Sequence, residues 1–261
     1  MKLHRIFGII LRHLFAFRHS YDKMSDAFYW PLLDLLLWGL TSAYIKQTSG
    51  GDTNILLIIV SGIVFWIIFW RAQYEISIGL LEELWNRNMI NIFITPLKFS
   101  EWVSAWLFMG ITKGIMSFLF ASGIALILYK TSIFVYGFSL LPFAFILLLS
   151  GWWVGFIIAS IVMRFGTKVQ TLAWSMPWIF APFSAIYYPI TILPDWAQTI
   201  AHFLPTSYVF EGMREVVATG HFDSNKFFIG LGLNIVYLTL GLLLLRSSFK
   251  KVLRNGVTKL Y

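Results

Sequence analysis

Apolar residues in this chain come in long unbroken runs, not in the alternation of a half-buried strand or the narrow stripe of a surface helix. Runs long enough to cross a bilayer occupy about 28–45, 54–79, 103–128, 137–163, 172–192 and 227–245, against the roughly 20 helical residues that a ~30 Å hydrocarbon layer requires. The pattern predicts an all-α membrane protein with six transmembrane helices. They are unequal. The second run is about 39 Å long if helical at ~1.5 Å per residue, so its end is expected to project beyond the hydrocarbon with Glu75 in the projecting part. The fifth contains Pro177, Pro182 and Pro189, each of which removes a helical hydrogen bond, and is expected to be kinked or broken.

The segments between the runs carry patterns of their own. Residues 3–19, LHRIFGIILRHLFAFRH, set Arg5, Arg12 and His19 seven apart on one helical face, with Ile6, Phe7, Ile10, Leu14 and Phe17 spread over the rest. That predicts an amphipathic helix lying in the membrane interface within about 1–26. The stretch LLEELWNRNMINIFITPLKFSEW (80–102) interleaves Glu82, Glu83, Arg87 and Lys98 with Leu, Trp, Ile and Phe, too polar to span and too apolar for a free loop. The connection MRFGTKVQ (163–170) is short. After the fifth run, residues 189–222 hold Pro189, Pro194 and Pro205 in an amphipathic sequence with no run able to span, which predicts short helices packed at, or dipping into, the outer leaflet.

Charge sets the orientation. With six crossings, Lys2, Arg5, Arg12, Arg18, Lys23, Arg71, Arg87, Lys98, Arg164, Lys168, Arg246, Lys250, Lys251, Arg254 and Lys259 fall on one side. The other side has only Lys46, Lys130, Arg214 and Lys226. This positive-inside asymmetry predicts cytoplasmic N- and C-termini in the plasma (inner) membrane. Composition agrees, because 58% of residues are hydrophobic and 12% charged, far from the roughly 25% charge of a soluble domain. The chain is expected to be one membrane domain over 1–261. The net charge of +8 is dispersed in short segments and does not read as a nucleic-acid surface. There is no cysteine, which excludes disulfides, thiolate metal sites and cysteine nucleophiles.

Two stretches resemble the ABC-2 type exporter permeases. EISIGLLEELWNRNMINIFITPLKFSEW is similar to the coupling segment of that family, an acidic helix followed by a Thr/Ser-Pro-Leu turn and another acidic residue opening the third span. PITILPDWAQTIAHFLPTSYVFEGMRE resembles its outer segment, with Tyr-Pro-Ile, Leu-Pro-x-Trp, Leu-Pro-Thr and Glu-x-Met-Arg patterns. The order of elements matches over nearly the whole chain: interfacial helix (1–26), two spans, coupling helix (80–97), three spans, outer re-entrant helices (189–222), last span. The resemblance implies a permease subunit that dimerises, with a second copy or a close paralogue, and works with a dimer of a separate cytoplasmic ATPase that binds ATP and Mg. No G-x-x-x-x-G-K-[ST] loop occurs in the chain, so it lacks that backbone cradle for phosphates and no cofactor is expected in it. On this resemblance the residues expected to couple to the ATPase are Glu82, Glu83, Arg87, Asn88 and Pro96, with Arg5 and Arg12 as a second contact and Gly166 to Lys168 as a weaker one.

Other residues are candidates for the path or the outer gate. Asp34 is expected to avoid lipid, at a penalty of ~3 kcal/mol on insertion scales, and so to face the protein interior, water or the interface. Lys113 is expected to snorkel or to pair. Glu211 and Arg214, three apart, predict a structural ion pair near the outer end. His202 reads as a capping or interfacial histidine. Trp174, Trp178, Tyr187 and Tyr188 on the broken fifth span are expected to line a path, since irregular backbone at membrane depth is tolerated only when buried or facing a cavity. Two other classes compete: a membrane-embedded enzyme acting on lipid-linked substrates, which should gather acidic or histidine residues at one membrane face, and an ion-coupled secondary transporter, which should show inverted repeats and paired intramembrane carboxylates.

Overall fold

The computed structural model describes residues 2–48 and 54–255, and among these every regular element is helical. Lys259 of the basic tail lies outside the described residues. The α-helices are α1 (Leu3–Arg18), α2 (Tyr21–Thr48), α3 (Asn54–Trp85), α4 (Met89–Ile94), α5 (Phe99–Tyr129), α6 (Leu140–Phe165), α7 (Leu172–Phe180), α8 (Asp195–His202), α9 (Pro205–Thr219) and α10 (Ser224–Asn255). Short 3₁₀ turns at Ile133–Ser139, Gly166–Val169, Ala181–Ser184 and Ile190–Ile192 join several of them.

Four of these are long and apolar enough to cross a bilayer: α3, α5, the run from Ile133 to Val169 built on α6, and α10. Helix α2, with 28 residues, is long enough but carries Asp22, Asp26, Asp34 and Lys46. The run at 172–192 is broken. It becomes the nine residues of α7, the 3₁₀ turn after it and a reversal at Ala185, whose φ is +60°. The run at 54–79 does overshoot, since α3 continues to Trp85 and is about 48 Å long. The segment 80–97 is not one helix but three pieces: the last turns of α3, a reversal at Arg87 with φ +52°, and the six-residue α4.

Helix α3 is the axis of the bundle. Val60, Val64, Phe65, Phe69, Ala72, Leu80 and Leu81 are almost wholly buried, because α5, α6 and α2 pack around it, with α10 behind α6. Lipid tails are as apolar as leucine, so close approach and polar contacts must hold such helices together. Gly151 and Gly155 of α6 supply the approach: a Cβ at 151 would lie 2.5 Å from both Ala72 Cβ and the Phe69 carbonyl oxygen, and one at 155 would lie 3.0 Å from Ile76 Cβ. On the far side of α6, the fully buried Asn234 of α10 accepts from Ser150 Oγ (3.0 Å) and Trp153 Nε1 (3.0 Å) and donates to the Ile146 carbonyl (3.2 Å).

Two interior prolines have their consequences repaired from neighbouring helices. Pro31 in α2 removes the amide that would bond the Ala27 carbonyl four residues back, and Ser117 Oγ of α5 donates to that carbonyl at 2.9 Å. Pro177 in α7 does the same to Ala173, whose carbonyl accepts from Gln73 Nε2 of α3 at 3.4 Å. Both repairs meet the requirement that backbone groups out of reach of water be satisfied within the protein.

The packing makes a prediction. Gly151→Leu is expected to lower the thermal unfolding midpoint in detergent, losing about 1–3 kcal/mol by overpacking against backbone. Gly8→Ala in α1, where a Cβ meets nothing within 4 Å, is expected to leave the midpoint unchanged or raised, by up to ~1 kcal/mol of helix propensity.

Candidate functional site

The chain gathers its chemistry in two places, an ion-paired end and an aromatic groove, both built on α3. At the first, α1, α4, the start of α5 and the last turns of α3 and α10 come together. Phe249 of α10 packs on Phe99 and Trp102 of α5, with ring centroids 4.9 and 6.4 Å apart, so both ends of the described chain meet there. We refer to this as the basic end.

Glu83, buried in the last turn of α3, is the knot. It accepts from the Arg12 guanidinium of α1 and from Asn88 Nδ2 at 2.6 Å, with His13 Nε2 3.7 Å away. One residue earlier, Glu82 pairs with Lys23 of α2. Glu101, fully buried at the start of α5, accepts from the Lys2 amide (2.7 Å) and the Lys98 amide (3.0 Å). The Arg5 guanidinium lies 3.5 Å from Glu101 and donates to the Pro96 carbonyl. Thus Arg5, Arg12, Glu82, Glu83, Asn88 and Pro96 converge, but they tie α1, α2, α3 and α4 to one another rather than projecting outward. What projects is the tip between them: Arg87 is exposed in its left-handed turn, and α4 presents Ile90 and Ile94, the latter 78% exposed. Just after the turn at Gly166–Lys168, Gln170 Oε1 accepts from Trp85 Nε1 at the end of α3 at 3.0 Å.

His13 was not a sequence candidate, and nothing in the α1 pattern distinguishes it from its neighbours. It is buried, and its ring lies 4.3 Å from that of Trp106. Burial first, then the nearby cations Arg12, Lys113 and Lys23, push its pKa down to about 3.

Deeper along α3, Arg71 Nη1 pairs with Asp26 at 2.8 Å and Lys113 with Glu75 at 2.7 Å, so Lys113 pairs within the protein. Between these pairs lies a cavity of about 50 Å³ whose lining includes Arg71, Glu75, Trp106 and Lys113. Arg71 Nε, Glu75 Oε1 and Trp106 Nε1 are buried without protein hydrogen bonds.

The second place is a groove of about 510 Å³ between α2, α3 and α7. Its walls follow helical register: Trp30 and Asp34 one turn apart on α2, Trp66, Trp70 and Tyr74 on successive turns of α3, Trp174 and Trp178 one turn apart on α7, with Tyr187 beyond. Trp70 and Trp178 meet edge to face at 5.7 Å, and Tyr187 stacks on Trp38 at 4.4 Å. Asp34, Trp174, Trp178 and Tyr187 therefore share this groove. Tyr188 does not, because its hydroxyl donates to the Pro182 carbonyl at 2.9 Å. Sequence reasoning missed Trp66, Trp70 and Trp30 as wall residues, although the four-residue spacing of 66, 70 and 74 was visible.

At the end opposite the basic one, Glu211 and Arg214 form an ion pair at 3.2 Å. Glu211 also accepts from the Ile190 amide at 2.9 Å, and Arg214 donates to the Ala185 and Ile186 carbonyls. The pair pins the loop leaving α7. His202 is exposed at the end of α8.

The model of the family described as ABC-2 family transporter protein matches residues 40–246. No curated protein matches the chain.

The His13 environment carries a pH prediction. The folded pKa, about 3, lies below the ordinary 6.5, so the undocked helix takes up the proton first. The contribution of neutral His13 to docking of α1 is full above about pH 6.5 and is lost as pH falls from there toward 3. Hydrogen exchange of α1 amides is expected to rise between pH 7.5 and 5 beyond the intrinsic rate change, by at most about tenfold in opening equilibrium per pH unit. His13→Phe is expected to flatten that dependence.

Proposed function

This chain belongs to the ABC-2 transporter family, and from that premise we propose that it is the membrane-spanning permease subunit of an ATP-driven exporter. Two copies form the translocation path, and a separate ATPase dimer binds ATP and Mg and docks at the basic end. In this reading the chain crosses six times, with α2 as the first crossing and α7 with its 3₁₀ turn as a broken fifth. Helix α1 lies in the interface, α8 and α9 are the outer re-entrant pair, and both termini are cytoplasmic in the plasma membrane, in line with the Lys and Arg asymmetry.

The observation that carries the reading is the hydrogen-bonded connection from the exposed tip into α3, the helix that also walls the groove. Helix α4 is joined through Asn88 and Glu83 to α3, and α3 supplies the groove wall four turns further on. The Pro96 carbonyl and Arg12 bind the same tip to α1. A push on α4 from a closing ATPase dimer is therefore delivered to α1 and α3 as a unit instead of being absorbed by a flexible loop. The movement needed is a displacement of α2 and α7 relative to α3, the helices whose prolines leave them least rigid. Glu82 and Glu83 are positioning residues in this mechanism. Ile90, Ile94 and Arg87 make the contact.

Ile94→Asp is expected to leave the purified chain monodisperse with an unchanged unfolding midpoint. It should weaken ATPase docking by about 2 kcal/mol, roughly thirtyfold, read as loss of the stimulation of partner ATP hydrolysis in proteoliposomes. Glu83→Leu is expected to lose both stimulation and α1 protection in hydrogen exchange. Substrate movement by the purified chain with no ATPase present would sink the reading.

A further inference from the structure

The groove between α2, α3 and α7 combines two features that together select a ligand charge. The first is an aromatic wall on three sides, Trp30 from α2, Trp66 and Trp70 from α3, and Trp178 from α7, around a volume of about 510 Å³, which is the size of a small-molecule site. The second is the state of its charged residues. Arg71 and Asp26 both line the groove but neutralise each other, with Nη1 at 2.8 Å from the Asp26 carboxylate and Nη2 bonded to the Asp26 carbonyl. Asp34 has no such partner: among the described residues no group hydrogen-bonds or ion-pairs with its carboxylate. The groove therefore presents one uncompensated negative charge, half-buried, in a lining that also holds Trp30, Trp66, Trp70 and Trp178, side chains whose ring quadrupoles attract positive charge.

We infer that this groove binds a lipophilic organic cation, an aromatic or alkyl-substituted ammonium or phosphonium, with Asp34 as its counter-charge and Trp30, Trp66, Trp70 and Trp178 as its cage. This names a substrate class for the path assigned above and rests on that assignment for its transport meaning, though not for the binding itself. A neutral sugar is disfavoured, because it would stack on the indoles yet leave the carboxylate uncompensated in a low-dielectric setting. An anionic ligand would meet direct repulsion. A lipid tail would fill the aromatic volume but leave Asp34 equally unpaired.

The test is equilibrium binding of radiolabelled tetraphenylphosphonium to the full purified chain in neutral detergent, without any ATPase. Saturable binding is expected, weakened about tenfold or more in Asp34→Asn and retained within about threefold in Asp34→Glu. Neutral triphenylphosphine oxide and maltoheptaose are expected not to compete. Trp178→Ala, an exposed wall position, is expected to weaken binding by a similar factor and decides the matter if Asp34→Asn fails to give monodisperse protein. The inference is overturned if wild-type chain shows no saturable binding, if Asp34→Asn binds as well as wild type, or if the neutral compounds displace the cation. If the wild-type chain binds the cation but stimulates no partner ATPase, the exporter reading falls and this site stands. Intact coupling without cation binding would do the reverse.

Discussion

A carbonyl oxygen inside hydrocarbon has no water to turn to, and this constraint shapes the working half of the molecule. Pro31 and Pro177 each strip a helical partner from a carbonyl, at Ala27 and Ala173, and Ser117 and Gln73 reach across from α5 and α3 to replace it. Each repair ties a proline-weakened helix to a neighbour by one interhelical hydrogen bond, worth on average ~0.6 kcal/mol and at most ~1.7 in such settings. Helix α7 is thus attached by a light fastening at its weakest point, while α2 is held there also by the Arg71–Asp26 pair. The groove opens between them. The more rigid side of the molecule, α3 against α6 and α6 against α10, is held instead by glycine-mediated close packing and by the Asn234 network.

The same division explains how the charged end works. Ion pairs buried against a membrane interface stabilise little in net terms, because desolvation consumes most of their attraction, but breaking one partner leaves an uncompensated charge and costs far more. Glu83 held by Arg12 and Asn88, Glu82 by Lys23, and Glu101 by backbone amides therefore act less as glue than as specification. They fix where α1 and α4 sit relative to α3, so that an exposed apolar tip is presented at a defined angle.

Much of this was legible in the sequence. The long apolar runs are visible because a membrane demands uninterrupted hydrophobicity, and the overshoot of α3 followed from length alone. The Glu211–Arg214 pair followed from spacing, and the meeting of Trp174, Trp178 and Tyr187 at one groove from the logic of broken helices. What the sequence hid were relations between distant segments. Glu82 and Glu83 were expected, on the family resemblance, to meet the ATPase, and only the arrival of Arg12 and Lys23 from α1 and α2 shows them engaged within the chain. Residues 80–97 read as one helix because nothing in Asn86-Arg87-Asn88 advertises a left-handed turn, a conformation that Arg adopts rarely. His13, Gln73 and Asn234 were invisible as players, since their roles consist entirely of what they meet. Trp66 and Trp70 were hidden for the opposite reason: their four-residue spacing with Tyr74 is visible, but in a chain with so many aromatics it does not single them out.

Asn234 has a consequence for how the protein is made. An uncapped amide in the last hydrophobic helix is unwelcome in lipid until its partners are at hand, and all three of its hydrogen bonds are to α6. Because synthesis runs from the N-terminus, α6 is already in place when α10 emerges from the ribosome. The order of translation thus supplies the receptor before the ligand, and α10 enters the bilayer with partners for its amide already in place. A circularly rearranged gene that delivered α10 first would have to shelter that amide by some other means.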